Sequence, residues 1–363
     1  MIRRISITLL TATAVLAQNG SRLEGVIQPL AANKMFMGSV LVARGNQVLL
    51  NKSYGFANLE WNIPNSPTTK FALASVTKQF TAASILMLEE RGKLKTSDLV
   101  KSLMPDAPPA WDHITIFHLL THTSGIPNFT AFPDYAVHEA LPATPEKTVA
   151  YFRDKPLDFR PGERFIYSNS GYVLLGYLLE KVTGESYEKF VQANIFQPLG
   201  MRDSGFNSDT AVIARRAADY MPGKDGPEHV GFAHMAFSAG GLYSTTEDLL
   251  RWEQGLFGGK LLSARSLAKM ISPSSPPLDE GAWFKDGPYI KDNSYGLGVF
   301  VSSVNGHKFI SHGGGVRYGL QSLRAYMAYF PGDHLTVVVL ANLDNDNSVL
   351  RILFRLSALA LDH

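Results

Sequence analysis

Cysteine is absent from the 363 residues of the sequence. Its absence excludes disulfide bonds, a thiol nucleophile, an iron–sulfur cluster and a cysteine-ligated zinc site. A covalent mechanism in this protein is therefore expected to use a hydroxyl group as its nucleophile.

The sequence also lacks an excess of charge of either sign. Lys and Arg number 34 against 32 Asp and Glu, so the formal net charge is +2. This near-balance gives no electrostatic reason to expect a nucleic acid as a partner. Hydrophobic residues make up 45% and charged residues 18% of the chain, which is typical of a globular protein.

Long hydrophobic runs are missing as well. The apolar run at residues 5–17 is shorter than the roughly 20 residues that a membrane span needs. Because it follows Arg3 and Arg4 and ends in a small residue, it predicts a secretory signal peptide at residues 1–17, rather than a frayed N-terminal helix of a cytosolic protein. We therefore expect a periplasmic or secreted protein with no membrane span.

The chain's periodic segments predict strands towards both ends and helices between them. Alternating residues around Gly45-Asn46 predict a β-hairpin. Further strands are predicted at 295–304, 308–311, 320–330 and 334–342, and helices at 80–90, 116–120, 172–182, 186–195 and 349–361. This order predicts an α/β fold of the α+β type, with one antiparallel sheet built from both chain ends. A single domain (18–363) would comprise a sheet lobe (18–100 and 246–363) and an inserted, mostly helical lobe (101–245).

An S-x-x-K motif can place a lysine on the same helix face as a serine, where it can help to remove the hydroxyl proton. The motif occurs three times, at Ser75/Lys78, Ser186/Lys189 and Ser266/Lys269. The last two have charged neighbours, which favours an N-capping serine followed by a surface lysine. Only the first pair lies between apolar segments, which predicts a partly buried Lys78 with a lowered pKa.

Two other motifs carry side chains suited to acyl transfer. In Tyr167-Ser168-Asn169, a phenol beside a lysine can act as acid and base, and the amide can orient the lysine or a substrate. The alternative is a packed tyrosine followed by a turn asparagine. In the segment 312–315, His-Gly-Gly-Gly, the Gly315 N–H could form an oxyanion hole with the Ser75 N–H. The alternative there is a glycine turn at a strand end.

Two rival sites have weaker support. A lipase would need G-x-S-x-G after the His-Gly-Gly-Gly loop, whereas the nearest match, residues 236–240, precedes it and begins with alanine. His118 and His122 have a spacing that could bind a metal, with His113 nearby, but they lack the glutamate of H-E-x-x-H. We therefore expect no metal and no cofactor.

Together and in this order, the three motifs resemble those of the serine β-lactamase-related family. That group includes class C β-lactamases, D-alanyl-D-alanine carboxypeptidases and family VIII esterases. Linking segments also match it, at 119–126, 198–201, 239–244 and 295–298, and the resemblance extends from about residue 25 to 345. It implies a β-lactamase/transpeptidase-like fold and an acyl-enzyme mechanism.

The resemblance also implies a role for each motif residue. Ser75 would be the acylated nucleophile, Lys78 would help to deprotonate it, and Tyr167 would carry protons to the leaving group and from water. The substrate would contact Asn169, His312, Gly313 and Gly314. His312 and Gly313 stand where many members carry Lys and Thr, which bind the carboxylate of penicillins; Arg317 could replace that cation.

We therefore expect an exported serine hydrolase that cleaves an ester or amide, with a D-amino-acid peptide as a candidate small-molecule or peptide substrate. The alternatives are a class C-like β-lactamase and a penicillin-binding sensor without turnover. A step in the rate profile near pH 6–7 is expected from His312. Nothing in the sequence indicates the oligomeric state.

Overall fold

The computed structural model describes residues 20–231, 233–278, 281–282, 287–315, 323–345 and 348–362. The predicted signal peptide and Arg317 lie outside these residues. Of the described helices, none is both long enough and apolar enough to cross a membrane.

Fifteen strands are found in the described residues. They are β1 (Gly38–Arg44), β2 (Gln47–Tyr54), β3 (Phe56–Asn58), β4 (Ile63–Pro64), β5 (Phe71–Ala72), β6 (Gly205–Phe206), β7 (Tyr220–Pro222), β8 (Pro227–His229), β9 (Leu242–Ser244), β10 (Gly281–Ala282), β11 (Tyr289–Tyr295), β12 (Phe300–Val304), β13 (His307–Gly315), β14 (Leu323–Phe330) and β15 (Leu335–Ala341).

The helices begin with α1, which the structure describes over residues 20–32. The others are α2 (Thr77–Glu90), α3 (Val100–Leu103), α4 (Ile116–Leu120), α5 (Tyr135–Glu139), α6 (Pro145–Arg153), α7 (Asn169–Thr183), α8 (Tyr187–Val191), α9 (Gln197–Leu199), α10 (Phe237–Gly240), α11 (Thr246–Phe257), α12 (Ala264–Met270) and α13 (Ser348–Leu361). A π-helical turn at Gln192–Phe196 connects α8 to α9.

One eight-stranded sheet joins the two ends of the chain, as the sequence predicts. Its order is β10-β11-β12-β13-β14-β15-β1-β2, and each neighbouring pair is antiparallel. The predicted hairpin forms β1 and β2, with Gly45 at a φ of +55° in the turn. Because β1 also pairs with β15, the N-terminal hairpin extends the C-terminal strands directly.

Side chains alternate between the two faces of this sheet and supply two cores. On one face, Val40 and Val42 pack in a core that includes residues of α1 and α13. On the other face, Leu41 packs in a larger core that includes residues of α2, α7 and α11. Helix α2 carries buried side chains from Thr77 to Leu88, because it lies between the sheet and the other helices. The fold therefore places the turn that precedes α2 against the strands β13 and β14 of the sheet.

Residues 101–245 hold the helices α3–α10 together with four short strands, β6–β9. Trp111 and Phe152 from this segment belong to the same core as Leu41 and Met327 of the sheet. The predicted helical content of this segment is therefore confirmed, and its core is continuous with that of the sheet. The boundaries of the two lobes stay a prediction.

Two strand predictions are wrong in an informative way. Residues 295–304 form the end of β11 and all of β12, not one strand, because Gly296–Gly298 turns the chain between them. Gly298 has a φ of +77°, where glycine is favoured. Strand β13 runs to Gly315, so the His-Gly-Gly-Gly segment is paired sheet and not a turn after the strand.

Candidate active site

The candidate nucleophile lies in a strained turn before helix α2. A 3₁₀ turn at Ala74–Val76 leads into the helix, and Ala74 has a φ of +44°, which is uncommon for a residue other than glycine. Such strain persists where surrounding structure holds it and is concentrated at functional sites. Ser75 is partly exposed within this turn, beside a buried helix.

Lys78 extends back along the helix to the Ser75 hydroxyl. Its Nζ lies 3.0 Å from Ser75 Oγ, 2.8 Å from Asn169 Oδ1 and 2.9 Å from the carbonyl oxygen of Ala239. The sequence predicted the first contact from the three-residue spacing. The sequence did not predict the contact between Lys78 and the Ala239 carbonyl oxygen, although Ala239 lies in a segment that matches the resembled family.

The environment of Lys78 favours the neutral amine. The residue is fully buried, and burial lowers its pKa well below the usual value for lysine. No described carboxylate forms an ion pair with it. A neutral amine can donate its two hydrogens to Asn169 Oδ1 and the Ala239 carbonyl, which leaves its lone pair directed at Ser75 Oγ. Lys78 is therefore fully buried, whereas the sequence predicted only partial burial.

Asn169 is held by residues that the sequence analysis did not identify. It is the first residue of α7; its backbone N–H donates to Asn128 Oδ1 at 3.0 Å, and its Nδ2 donates to Thr130 Oγ1 at 3.2 Å. These two bonds orient the amide so that Oδ1 faces Lys78. No motif marked Asn128 or Thr130, because their role depends on the tertiary approach of the 126–131 loop.

Tyr167 lies beside the same lysine. Lys78 Nζ is 4.8 Å from the centre of the Tyr167 ring, within the range of a cation–π contact when the amine is charged. The phenol and the Ser75 hydroxyl thus share one basic neighbour, as the Tyr-x-Asn motif predicts.

Strand β13 passes directly against the turn that carries Ser75. A Cβ added to Gly314 would lie 2.1 Å from the carbonyl oxygen of Leu73 and 3.1 Å from the Ser75 nitrogen. Only glycine fits at such a distance. The close approach brings the Gly314–Gly315 segment next to the Ser75 backbone.

His312 is buried and neutral. Its Nδ1 lies 2.7 Å from the Gly313 carbonyl oxygen, which can only accept, so the imidazole proton is on Nδ1. Its Nε2 then accepts from the Tyr295 hydroxyl at 2.9 Å. Burial lowers the pKa of His312 to about 3. The buried, neutral imidazole does not support the expectation of a step near pH 6–7 from this residue.

The other two S-x-x-K pairs, which the sequence analysis judged to be helix caps with surface lysines, lie away from this site. Ser186 caps α8, with its Oγ accepting from the Lys189 N–H, as the alternative interpretation predicts. In the third pair Ser263, not Ser266, caps the helix, and Lys269 bonds Glu89.

The serine of the lipase-like match is also accounted for. Ser238 is fully buried, and its hydroxyl donates to the Tyr172 carbonyl oxygen at 2.8 Å. It cannot be the exposed nucleophile of a lipase elbow.

The profile of the Beta-lactamase family matches residues 23–362, almost the whole chain. The chain belongs to this family. Penicillin-binding protein 4* of Bacillus subtilis (strain 168) is 29% identical to it over 349 residues, which cover 89% of this chain and 72% of that protein. The family places the chain among serine hydrolases with the β-lactamase fold.

Solved structures agree with this assignment. The octameric penicillin-binding protein homologue from Pyrococcus abyssi is 32% identical, with a TM-score of 0.81 over 94% of this chain and 77% of that one. The D-amino acid amidase from Ochrobactrum anthropi SV3 is 22% identical, with a TM-score of 0.77 over 94% of this chain and 99% of that one, and so shows a shared fold.

Proposed function

We propose that this family member is an exported hydrolase that forms an acyl-enzyme on Ser75 and cleaves an ester or an amide. The observation that carries the proposal is the 3.0 Å contact between Lys78 Nζ and Ser75 Oγ, with the other two Nζ contacts made to carbonyl oxygens. This arrangement supports a lysine base whose lone pair faces the serine proton. The basic, then apolar, N-terminal residues support export.

Acylation follows from these positions. Ser75 Oγ attacks the substrate carbonyl carbon while its proton moves to Lys78 Nζ. The oxygen of the tetrahedral intermediate takes up negative charge, and the Ser75 and Gly315 N–H groups stabilise it. Collapse breaks the bond to the leaving group, which receives the proton from Lys78 by way of Tyr167.

Deacylation follows the same order of steps, with water as the attacking group. Tyr167, with Lys78 beside it, takes a proton from the attacking water, the ester bond to Ser75 breaks, and the proton returns to Ser75 Oγ. The close packing of Gly314 on the Ser75 turn supports the oxyanion hole, because it brings the segment that bears the Gly315 N–H next to Ser75. Asn169, held by Thr130, supports the orientation of Lys78 through both steps.

The neutral state of His312 bears on the substrate class. A buried imidazole with a pKa of about 3 offers no positive charge to a carboxylate at neutral pH. This favours a substrate whose leaving group carries no carboxylate beside the scissile bond, such as a D-amino-acid ester or amide, over a peptide with a free C-terminal carboxylate. The neutral imidazole of His312 counts against the class C-like β-lactamase alternative. It gives no support to the alternative of a penicillin-binding sensor. The shared fold with a D-amino acid amidase is consistent with this choice.

Ester hydrolysis tests the proposal. We expect the wild-type protein to release p-nitrophenol from a p-nitrophenyl ester with a burst, and Ser75→Ala to lose at least about 10³-fold in kcat/KM. Ser186→Ala, the serine of the second S-x-x-K pair, is the matched control and should keep wild-type rates. Wild-type hydrolysis by Ser75→Ala contradicts the proposal. Faster turnover of nitrocefin than of D-amino-acid amides would favour the β-lactamase alternative.

A further inference from the structure

His122 bonds both sequence neighbours of Tyr167. It follows helix α4 and has a φ of +57°. Its backbone carbonyl oxygen accepts from the Ile166 N–H at 3.0 Å, and its ring Nδ1 accepts from the Ser168 N–H at 3.1 Å. Residues 164–168 belong to no helix or strand, so these bonds replace the support that regular structure would give.

The ring of His122 also packs against Tyr167 itself. The two ring centres are 4.3 Å apart, with the planes tilted by 33°. Tyr172 and Tyr295 lie behind, with ring centres 5.0 and 4.7 Å from that of His122. His122 is 2% exposed, so this contact is enclosed by other side chains and excludes solvent.

The hydrogen bonding fixes the tautomer of this buried imidazole. A backbone N–H can only donate, so Nδ1 of His122 carries no proton and the neutral ring carries it on Nε2. Burial lowers the pKa of His122 well below its usual value, so the ring is neutral. Among the described residues Nε2 of His122 has no hydrogen-bond partner. The ring therefore contacts its neighbours through Nδ1 and through its face.

We infer that His122 is a positioning residue for Tyr167. It holds the phenol from three directions, through the residue before it, the residue after it and its own ring. The inference rests on the proposed role of Tyr167 in proton transfer, which requires the phenol to stay within hydrogen-bond reach of the reacting atoms. A displacement of about 1 Å at such a group can cost about 10²-fold in rate.

Two substitutions separate the parts of this contact. His122→Asn removes the ring but keeps an acceptor near Nδ1, and asparagine tolerates a positive φ. His122→Phe keeps a ring but removes the acceptor. His118→Asn is the matched control, because His118 lies on the preceding helix α4 and its Nδ1 accepts from the Thr115 N–H in the helix cap. Thermal unfolding of each variant shows which of them fold.

A double-mutant cycle with Tyr167→Phe distinguishes positioning from general stability. We expect each His122 variant to lower kcat for a p-nitrophenyl ester by about 10-fold or more, with KM within about 2-fold. In the Tyr167→Phe background the same variants should lower kcat by less than about 2-fold, because the group they position is already gone. His118→Asn should keep wild-type kcat in both backgrounds.

Two results overturn the inference in distinguishable ways. If Tyr167→Phe lowers kcat but the His122 variants cost the same factor in both backgrounds, His122 has only a structural role. If Tyr167→Phe keeps wild-type kcat, the proposed role of Tyr167 fails, and the positioning role fails with it.

Discussion

The starts of helices α2 and α8 carry the same S-x-x-K spacing in two different environments. At α8, Ser186 Oγ accepts the Lys189 backbone N–H and so satisfies the helix end. At α2 no side chain caps the helix, and Ser75 Oγ is bonded by the Lys78 amine instead. Ser75 becomes a candidate nucleophile because its hydroxyl group does not cap the helix and lies beside the amine of a buried lysine instead.

Removing the lysine amine at each of the two sites should produce the largest difference in activity between them. Lys78→Met keeps the length of the side chain but leaves Ser75 without a base, and we expect kcat/KM for an ester to fall by at least about 10³-fold. Lys189→Met should stay within about 2-fold. Steady-state kinetics with thermal unfolding of both variants provides the measurement; similar losses in the two would contradict the account.

Adding a methyl group to β13 should have the next largest effect. Gly314→Ala places a Cβ 2.1 Å from the Leu73 carbonyl oxygen, so the Ser75 turn or the strand must move. We expect a loss of about 10²-fold in kcat, which pre-steady-state acylation rates would show. At Gly332 a Cβ would meet no atom within 4 Å, so Gly332→Ala should be neutral. Normal acylation in Gly314→Ala would show that the close approach is dispensable.

The pH profile should show the state of Lys78 and not that of His312. Activity needs the unprotonated amine, so the rate should rise with pH through the pKa of Lys78, which burial holds below the usual lysine value. His312, with a pKa of about 3, is neutral throughout the range around pH 7. We expect no separate step near pH 6–7, and the same profile shape in His312→Gln. A step that His312→Gln removes would refute the neutral assignment.

The smallest expected effect lies at the start of α8. Ser186→Ala removes an N-cap, so we expect the free energy of unfolding to fall by about 1 kcal/mol with no change in kcat. Urea denaturation gives the stability, and ester hydrolysis gives the activity. A change in kcat would mean that the capping serine is coupled to the site after all.

Structural features that depend on a short-range residue pattern could be predicted from the sequence. The hairpin around Gly45, the stop of α7 at Gly184 and the pairing of Ser75 with Lys78 all follow from neighbouring residues. The order of three motifs was sufficient for the family resemblance, which the match over residues 23–362 confirms.

Features that depend on tertiary contact could not be read from the sequence. The Ala239 carbonyl reaches Lys78 because α10 packs against α2, and Thr130 reaches Asn169 through a loop. The charge of His312 depends on full burial beside Tyr295, which its own neighbours in the sequence do not reveal. These long-range contacts determine the protonation states and orientations on which the chemistry depends.

Covalent labelling of Ser75 is the most direct test of the account. After reaction with a fluorophosphonate, peptide mass spectrometry should show one added phosphonyl group on the peptide that contains Ser75, and none on the peptide that contains Ser186. Ser75→Ala should abolish the label, and Lys78→Met should slow it by at least about 10²-fold. Labelling of another serine, or equal labelling of Ser75→Ala, would contradict the assignment of Ser75 as the nucleophile.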